Sequence, residues 1–335
     1  GKLDEAFENY NKALTIKDDY FEAYNNLGLT LLEKGQLEKA MKAFNKALTI
    51  KPDYIEAWCN GADGLERSNQ LEKLGLWLQR AYNAYDVIPS DLILIKSNLL
   101  WREKNYDKAF SLMSEINFKT VSEFRKQAFL LLKAKVSEKF NDFDKAYECF
   151  YESNLLSKNS RQYFKSNPEE FFQNLKTKLN KLKSGQIKKP KAKFNAKTRF
   201  TPTFLVGFPR SGTTLLDTIL RSHSKIKIVE EQPIIRAVKI FYEKEGFNDP
   251  LSQVLSSDMI EEAQKLYELE FKKHVAESDQ NFIHIDKLPL NILDTPLIHQ
   301  LYPQAKFILA LRHPMDTILS CWIQNFKLNP AMANM

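Results

Sequence analysis

Phe204-Leu-Val-Gly-Phe-Pro-Arg-Ser-Gly-Thr-Thr-Leu215 is the stretch whose reading decides the fold of the carboxyl-terminal part of this 335-residue chain. The apolar run Thr203–Phe208 predicts a buried strand, and a helical pattern follows Gly212. Between strand and helix, Gly207 and Gly212 have the Gly-x-x-x-x-Gly spacing of a phosphate-cradling loop. Nucleotide hydrolases place a lysine after the second glycine; here Thr213 stands there, and Arg210 lies inside the loop. The N–H groups of Ser211–Thr214, the positive helix end that begins there and the Arg210 guanidinium together suit a compact tetrahedral anion. Arg210, Ser211, Gly212, Thr213 and Thr214 are therefore the expected anion-binding residues, with no metal implied.

The same grammar recurs downstream. Lys306-Phe-Ile-Leu-Ala-Leu-Arg-His-Pro-Met-Asp-Thr-Ile-Leu-Ser320 reads as a strand, an arginine at its carboxyl end, a proline in the first helical turn, and a serine eight residues after the arginine. Asn281–Asp286 alternates as a strand does, and His284-Ile-Asp-Lys-Leu-Pro-Leu-Asn291 sets Lys287 just past it. Lys227-Ile-Val-Glu-Glu-Gln-Pro233 ends a further strand with paired carboxylates. Strands alternating with helices predict a parallel sheet covered on both faces, with ligands beyond the strands' carboxyl ends.

The loop at 204–215, the Lys287 segment and the segment at 306–320, in that chain order, resemble the sulfotransferases that use 3′-phosphoadenosine 5′-phosphosulfate, and the Glu-Glu and Lys287 segments are most similar to protein-tyrosine sulfotransferases and their bacterial repeat-containing relatives. The resemblance implies an α/β P-loop-type domain that binds the 5′-phosphosulfate at Arg210–Thr214 and the 3′-phosphate at Arg312 and Ser320. It implies Lys287 and Arg210 as the cations near the reacting sulfur and Glu231, second of its pair, as the catalytic base. Cytosolic small-molecule sulfotransferases use histidine as base, and His284 and His313 both flank motif residues, so histidine stays open as an alternative; His313 also suits a cap for the helix starting at Pro314. A protein tyrosine is the acceptor this resemblance suggests, with saccharide and lipid hydroxyls open.

Upstream, Gly1-Lys-Leu-Asp-Glu-Ala-Phe7 and Gly35-Gln-Leu-Glu-Lys-Ala-Met41 are similar at a spacing of 34 residues, and Asn-Lys-Ala-Leu-Thr-Ile-Lys closes both copies. Tyr24, Leu27, Gly28 and Leu31, then Ala40, Phe44, Ala47 and Pro52, place apolar and small residues at helical spacing on two successive segments. A third copy shows in Trp58, Ala62, Leu65, Leu74, Leu78 and Ala81, with weaker ones at Tyr106-Asp-Lys-Ala and Phe143-Asp-Lys-Ala, where the spacing drifts to 37. Period and pattern resemble the tetratricopeptide repeat family, which implies a solenoid of helical hairpins that binds a protein partner or presents a polypeptide acceptor.

The expected organisation is thus a repeat array over 1–158, a helical then Lys-rich linker over 159–199 with a helix at Pro168–Lys183, and a sulfotransferase domain over 200–335. Of the net charge of +7, the linker is the source: Lys176–Arg199 holds 10 basic residues and no acidic one, leaving 39 basic against 42 acidic elsewhere. Without interleaved aromatics or a recognition motif this local basicity reads as a solvated tether, not a nucleic-acid surface. Cys59, Cys149 and Cys321 are few and far apart, the pattern of buried thiols. No run of 18 apolar residues appears, so no membrane span is expected, and the reading is of a cytoplasmic protein. The start at Gly1 and the stop at Met335 read as cuts, with the sheet incomplete at its carboxyl-terminal end. Two rival readings differ in class: a repeat scaffold with an inactive second domain, which the co-occurrence of Arg210, Glu231, Lys287, Arg312 and Ser320 opposes, and a P-loop kinase, which Thr213 opposes.

Overall fold

The computed structural model describes residues 1–185, 200–247, 255–275 and 282–324. The chain divides into two compact units, Gly1–Ser157 and Lys158–Met335. Most of the Lys-rich part of the expected linker, and Asn281 at the head of the expected third strand, lie outside the described residues.

The first unit is built of α1 (Lys2–Ile16), α2 (Phe21–Glu33), α3 (Leu37–Ile50), α4 (Ile55–Arg67), α5 (Leu71–Tyr82), α6 (Ser90–Arg102), α7 (Tyr106–Ser114), α8 (Glu123–Lys139) and α9 (Phe143–Lys158). The hairpins turn at Gly35, Asn69, Lys104 and Asn141, all with φ between 55 and 71° and spaced 34, 35 and 37 residues apart. Each turn ends its helix the same way. The N–H of the next residue returns to the carbonyl five back: Gln36 to Leu31, Gln70 to Leu65, Asn105 to Leu100 and Asp142 to Ser137, each at 2.9 Å. This is the bonding of a left-handed helix terminus, which satisfies two orphan carbonyls and reverses the chain. The weaker copies at Tyr106 and Phe143 are therefore hairpins of the same construction, and the longer period comes from longer intervening segments.

Between helices the small residues are placed against rings. A methyl group on Gly28 would come within 2.5 Å of the Phe44 ring, and one on Gly61 within 2.4 Å of the Trp77 ring. With the turns at Gly35 and Asn69 34 residues apart, Gly28 matches Ala62 and Phe44 matches Leu78, so Gly61 and Trp77 repeat the close approach one place earlier in the next hairpin. Trp77 packs edge-on to Trp58 with centroids 4.9 Å apart and donates its Nε1–H to the Trp58 carbonyl at 2.8 Å. The expected thiols Cys59 and Cys149 are buried in this unit, and burial pushes the Cys59 thiol up to about 12.

In the second unit α10 (Arg161–Ser166) and α11 (Pro168–Lys183) precede a sheet of β1 (Thr203–Gly207), β2 (Ile226–Glu230), β3 (Ile283–Lys287) and β4 (Lys306–Ala310). The helix expected at Pro168–Lys183 is α11. The order is β2-β3-β1-β4 with every pairing parallel. Alternation along β1 sends Phe204 and Val206 to one face and Leu205 to the other. The first face packs on α13 (Ile234–Lys244), α14 (Ser257–Lys272) and α15 (Thr295–Leu301) through Val238, Tyr242, Tyr267 and Ile298. The second takes Leu216 and Leu220 of α12 (Thr213–Arg221), and α16 (Pro314–Trp322) follows β4. Both faces of β1 are buried, as a parallel sheet requires. Since β1 lies between β3 and β4, the carboxyl ends of β1 and β4 flank the point where the strand order changes direction, the place such sheets bind ligands.

Candidate functional site

Two clusters of charged side chains lie at the carboxyl ends of the strands. The first joins the loop after β1 to the segment after β4. Arg210 sits in the loop at φ 67° and Gly212 at φ 98°, so the chain makes a tight nest before α12 begins. A side chain at Gly207 would bring its Cβ to 2.7 Å from Ser211 Oγ and 2.9 Å from the Ala310 carbonyl. Glycine is thus required where β1 and β4 close on the loop. Arg210 Nε donates to Ser320 Oγ at 3.0 Å, and Arg312 Nη1 donates to the Arg210 carbonyl at 3.2 Å. Two guanidiniums and a hydroxyl from segments more than 100 residues apart in sequence meet here. The remaining nitrogens of these guanidiniums supply donors for an anion.

Ser211 Oγ is buried with no hydrogen-bond partner among the described residues. An orphan hydroxyl beside the first N–H groups of a helix, which have no intrahelical acceptors of their own, fits an oxyanion that the loop is shaped to receive. Thr213, at the place of a P-loop lysine, is buried. Cys321 Sγ lies against the Pro209 carbonyl at 3.7 Å, and burial raises its thiol.

The second cluster centres on Lys287, the last residue of β3, whose side chain has no exposed surface. Its Nζ donates to Glu230 Oε1 at 3.0 Å and to Glu231 Oε1 at 2.8 Å. Burial works against the ammonium, but the hydrogen bonds to Glu231 and Glu230 outweigh it and hold the lysine above its ordinary range. The same bond from Lys287 draws the Glu230 carboxyl below its ordinary value. Pairing of β1 with β3 sets Lys287 beside Leu205, two residues before Gly207, where the loop after β1 begins.

The expected site residues therefore fall into two groups: Arg210, Arg312 and Ser320 together, and Lys287 with Glu231 together. Ser211 and Gly212 form the turn into α12, and Thr213 and Thr214 are its first residues. The alternative histidines sit elsewhere in the local chemistry. His313 Nδ1 accepts from the Met315 N–H at 3.3 Å and caps α16. His284 packs against the rings of Phe200 and Phe271.

Several polar residues that sequence reading did not single out complete the site. Arg221 bonds to the buried Asp217 through Nε and reaches Glu230 Oε2 at 3.4 Å. Asp286, next to Lys287 but on the opposite face of β3, is fully buried; it accepts from Tyr267 Oη at 2.7 Å and faces Asn291 Nδ2 at 3.5 Å. Burial pushes its carboxyl up to about 7, against the lowering effect of the Tyr267 bond. The only signal for these residues was their nearness to motif residues, and acidic or aromatic neighbours are too common to be informative.

A family model described as "Sulfotransferase family" matches residues 202–334, and models described as "Tetratricopeptide repeat" and "TPR repeat" match 21–54 and 1–35. An uncharacterized protein of Aquifex aeolicus (strain VF5) is 31% identical over 200 residues, 57% of this chain and 25% of that protein. The nodulation protein NoeE of Sinorhizobium fredii (strain NBRC 101917 / NGR234) is 31% identical over 120 residues, 33% of this chain and 28% of that protein. The chain thus spans about a quarter of the length of these curated relatives. Among solved structures, MamA aligns with a TM-score of 0.37 at 18% identity, covering 47% of this chain and 90% of its own. Pseudomonas aeruginosa pilF aligns with a TM-score of 0.37 at 21% identity, covering 46% and 68%. Tetratricopeptide repeats followed by a sulfotransferase-family domain are the architecture of this chain. Among the described residues, no helix is long and apolar enough to cross a membrane, and no group of three or more His, Cys, Asp and Glu side chains could hold a metal ion.

Proposed function

We propose that this chain, a sulfotransferase-family domain behind tetratricopeptide repeats, belongs to an enzyme that transfers the sulfuryl group of 3′-phosphoadenosine 5′-phosphosulfate to a hydroxyl. The observation that carries the reading is the buried Lys287 ammonium bonded to Glu231, on the strand that pairs with the one leading into the Arg210–Thr214 loop. It supplies both partners that sulfuryl transfer needs: a cation for the leaving oxygen and a carboxylate for the acceptor proton.

The donor's 5′-phosphosulfate lies on the N–H groups of Ser211–Thr214 and on Arg210, and its 3′-phosphate on Arg312 and Ser320. Glu231 accepts the proton of the acceptor hydroxyl as that oxygen attacks sulfur. The new O–S bond forms as the bond from sulfur to the 5′-phosphate oxygen breaks, and the electron pair leaves with that oxygen. By analogy with phosphoryl transfer the transition state is loose, so charge builds on the leaving oxygen, where Lys287 and Arg210 stabilise it. An exposed Glu231, with 58% of its side-chain surface accessible, can meet a hydroxyl presented on a large acceptor. The repeats suit a polypeptide acceptor, and the resemblance of the Glu-Glu and Lys287 segments to protein-tyrosine sulfotransferases points to a tyrosine hydroxyl.

Two measurements test the reading in order. Calorimetric titration of the full-length protein with 3′-phosphoadenosine 5′-phosphate is expected to show binding that Arg312→Ala weakens by one to two orders of magnitude, about 1.5–3 kcal/mol for a charged hydrogen-bonding partner. Incubation with sulfur-labelled donor and a cell extract then identifies the acceptor class, and Glu231→Gln is expected to abolish labelling while leaving donor binding intact. No binding of the bisphosphate would overturn the proposal.

A further inference from the structure

Glu230 and Glu231 are consecutive, yet both reach the same ammonium. Adjacent side chains of an extended strand point to opposite faces, so their convergence requires β2 to break. The break is Glu231 itself, held at φ 51°, a left-handed conformation that non-glycine residues keep only where surroundings enforce it. The Glu231 N–H donates to the Lys287 carbonyl at 2.7 Å, so backbone and side chain together tie Glu231 to Lys287.

What stands behind the two carboxylates differs. Glu230 uses Oε1 on Lys287 and Oε2 on Arg221, and Arg221 is gripped in turn by the buried Asp217 of α12. Glu231 has Lys287 as its ion-pair partner, and no second cation within ion-pair distance is seen among the described residues. Asp286 directs its carboxylate to Tyr267 and Asn291 on the other face of the sheet. The charged groups facing Lys287 are therefore Glu230 and Glu231 from the end of β2, with Arg221 and Asp217 of α12 one step behind.

From this asymmetry we infer that the two glutamates divide the work: Glu230, anchored through Arg221 to Asp217, is a positioning residue that holds Lys287 in place, which leaves Glu231 free to exchange Lys287 for the acceptor hydroxyl. The inference rests on the sulfuryl-transfer reading above. When donor binds, Lys287 turns toward the leaving oxygen, and the Glu230 bond keeps it at the site while the Glu231 bond opens. A chain that merely fastened α12 to β2 would leave the lysine's titration and the chemical step untouched.

The test uses the full-length protein and compares Glu230→Gln, Glu231→Gln, Arg221→Gln and Arg221→Lys. Glu231→Gln is expected to lower kcat by roughly a thousandfold across the pH range, the scale of losing general-base catalysis. Glu230→Gln is expected to lower kcat about tenfold, to leave the acceptor KM within about twofold, and to move the alkaline limb of the kcat profile to lower pH, because Lys287 loses a carboxylate that stabilises its charged form. Arg221→Gln should act in the same direction more weakly, and Arg221→Lys should restore most of the loss. An unmoved alkaline limb with unchanged kcat in Glu230→Gln, or a loss equal to that of Glu231→Gln, overturns the inference. Resonances of isotopically labelled lysine, assigned to Lys287 with Lys287→Met, give a readout that needs no turnover. If Glu230→Gln leaves the Lys287 midpoint where it is, the positioning role is wrong; if the midpoint falls while the wild-type protein transfers no sulfuryl group, the functional reading has failed instead.

Discussion

A single added methyl group separates residues that shape the anion loop from residues that only occupy it. Gly207 has a negative φ that any residue could adopt, yet its Cβ would meet the Ala310 carbonyl at 2.9 Å as well as Ser211 Oγ at 2.7 Å. Ser211 could rotate away, but the β4 backbone cannot. Gly207→Ala is therefore expected to displace the loop from β4 and weaken binding of 3′-phosphoadenosine 5′-phosphate by more than about tenfold. Ser320→Ala removes one acceptor from Arg210 and should cost about 1 kcal/mol of affinity, some fivefold. Equal affinities for the two variants in calorimetry would show that the loop tolerates the displacement. At this scale the loop residues proposed to bind the donor stood out because their signal is local: glycine spacing and an arginine inside the loop. Arg221 and Asp217 were not, because what gives them meaning is the β2–β3 register that places Glu230 opposite Lys287, 57 residues away. Nor could sequence show that Arg210 would lie on Ser320, since that contact depends on β1 and β4 being neighbours.

Elements add constraints that no residue carries alone. The hairpin period was legible for two copies through identical residues and blurred afterwards, while the left-handed turns at Gly35, Asn69, Lys104 and Asn141 keep it to the end. Sequence blurs it because only the first of these four turns uses glycine. Packing inside a hairpin gives a prediction with opposing terms. Gly61→Ala gains up to about 1 kcal/mol of helix propensity, but the new methyl would lie 2.4 Å from Trp77, whose ring is pinned by its bond to the Trp58 carbonyl. Overpacking of this kind costs about 1–3 kcal/mol, so a net loss of stability is expected, read as a lower midpoint in thermal unfolding followed by circular dichroism. A midpoint at or above wild type would mean the Trp77 ring moves freely. In the second unit β3 meets α14 through the Asp286–Tyr267 bond, and this predicts a pH effect. Burial raises the Asp286 carboxyl from an ordinary 3.8 to about 7, so between these values the folded state binds more protons than the unfolded. The contribution of this group to stability is thus fully present below about pH 4 and declines as pH rises toward 7, by an amount on the order of a few kcal/mol. Asp286→Asn keeps an acceptor for Tyr267 without the charge. It should be more stable than wild type above pH 7 in urea unfolding, and the difference should shrink as pH falls; a constant difference would show that Asp286 is not protonated on folding.

For the molecule as a whole, the sequence changes grammar near residue 200, where period-34 helices give way to strands, while the chain's two compact units are Gly1–Ser157 and Lys158–Met335, the second taking in the helices before the strands. Parallel pairing was legible from the alternation of strands and helices. The order β2-β3-β1-β4 was not, because loop lengths alone do not say on which side of β1 each later strand adds. Units with separate cores, one built round Phe44, Trp58 and Trp77 and the other round Phe204, Tyr242 and Tyr267, should unfold as separate cooperative events. A ligand that binds one folded unit raises only that unit's stability, by RT ln(1 + [L]/Kd), about 2.7 kcal/mol at a hundredfold excess over Kd. Scanning calorimetry of the full-length protein is therefore expected to resolve a transition that 3′-phosphoadenosine 5′-phosphate moves upward and a different one that Gly61→Ala moves downward. For units of this size each kcal/mol corresponds to roughly 2–4 °C, so the ligand shift should be of order 5–10 °C and the mutational shift a few degrees. Each perturbation assigns one transition without reference to the other, and the pair tests the division directly. If both move the same transition, the repeats and the sulfotransferase-family domain unfold as one body, and the two cores are coupled.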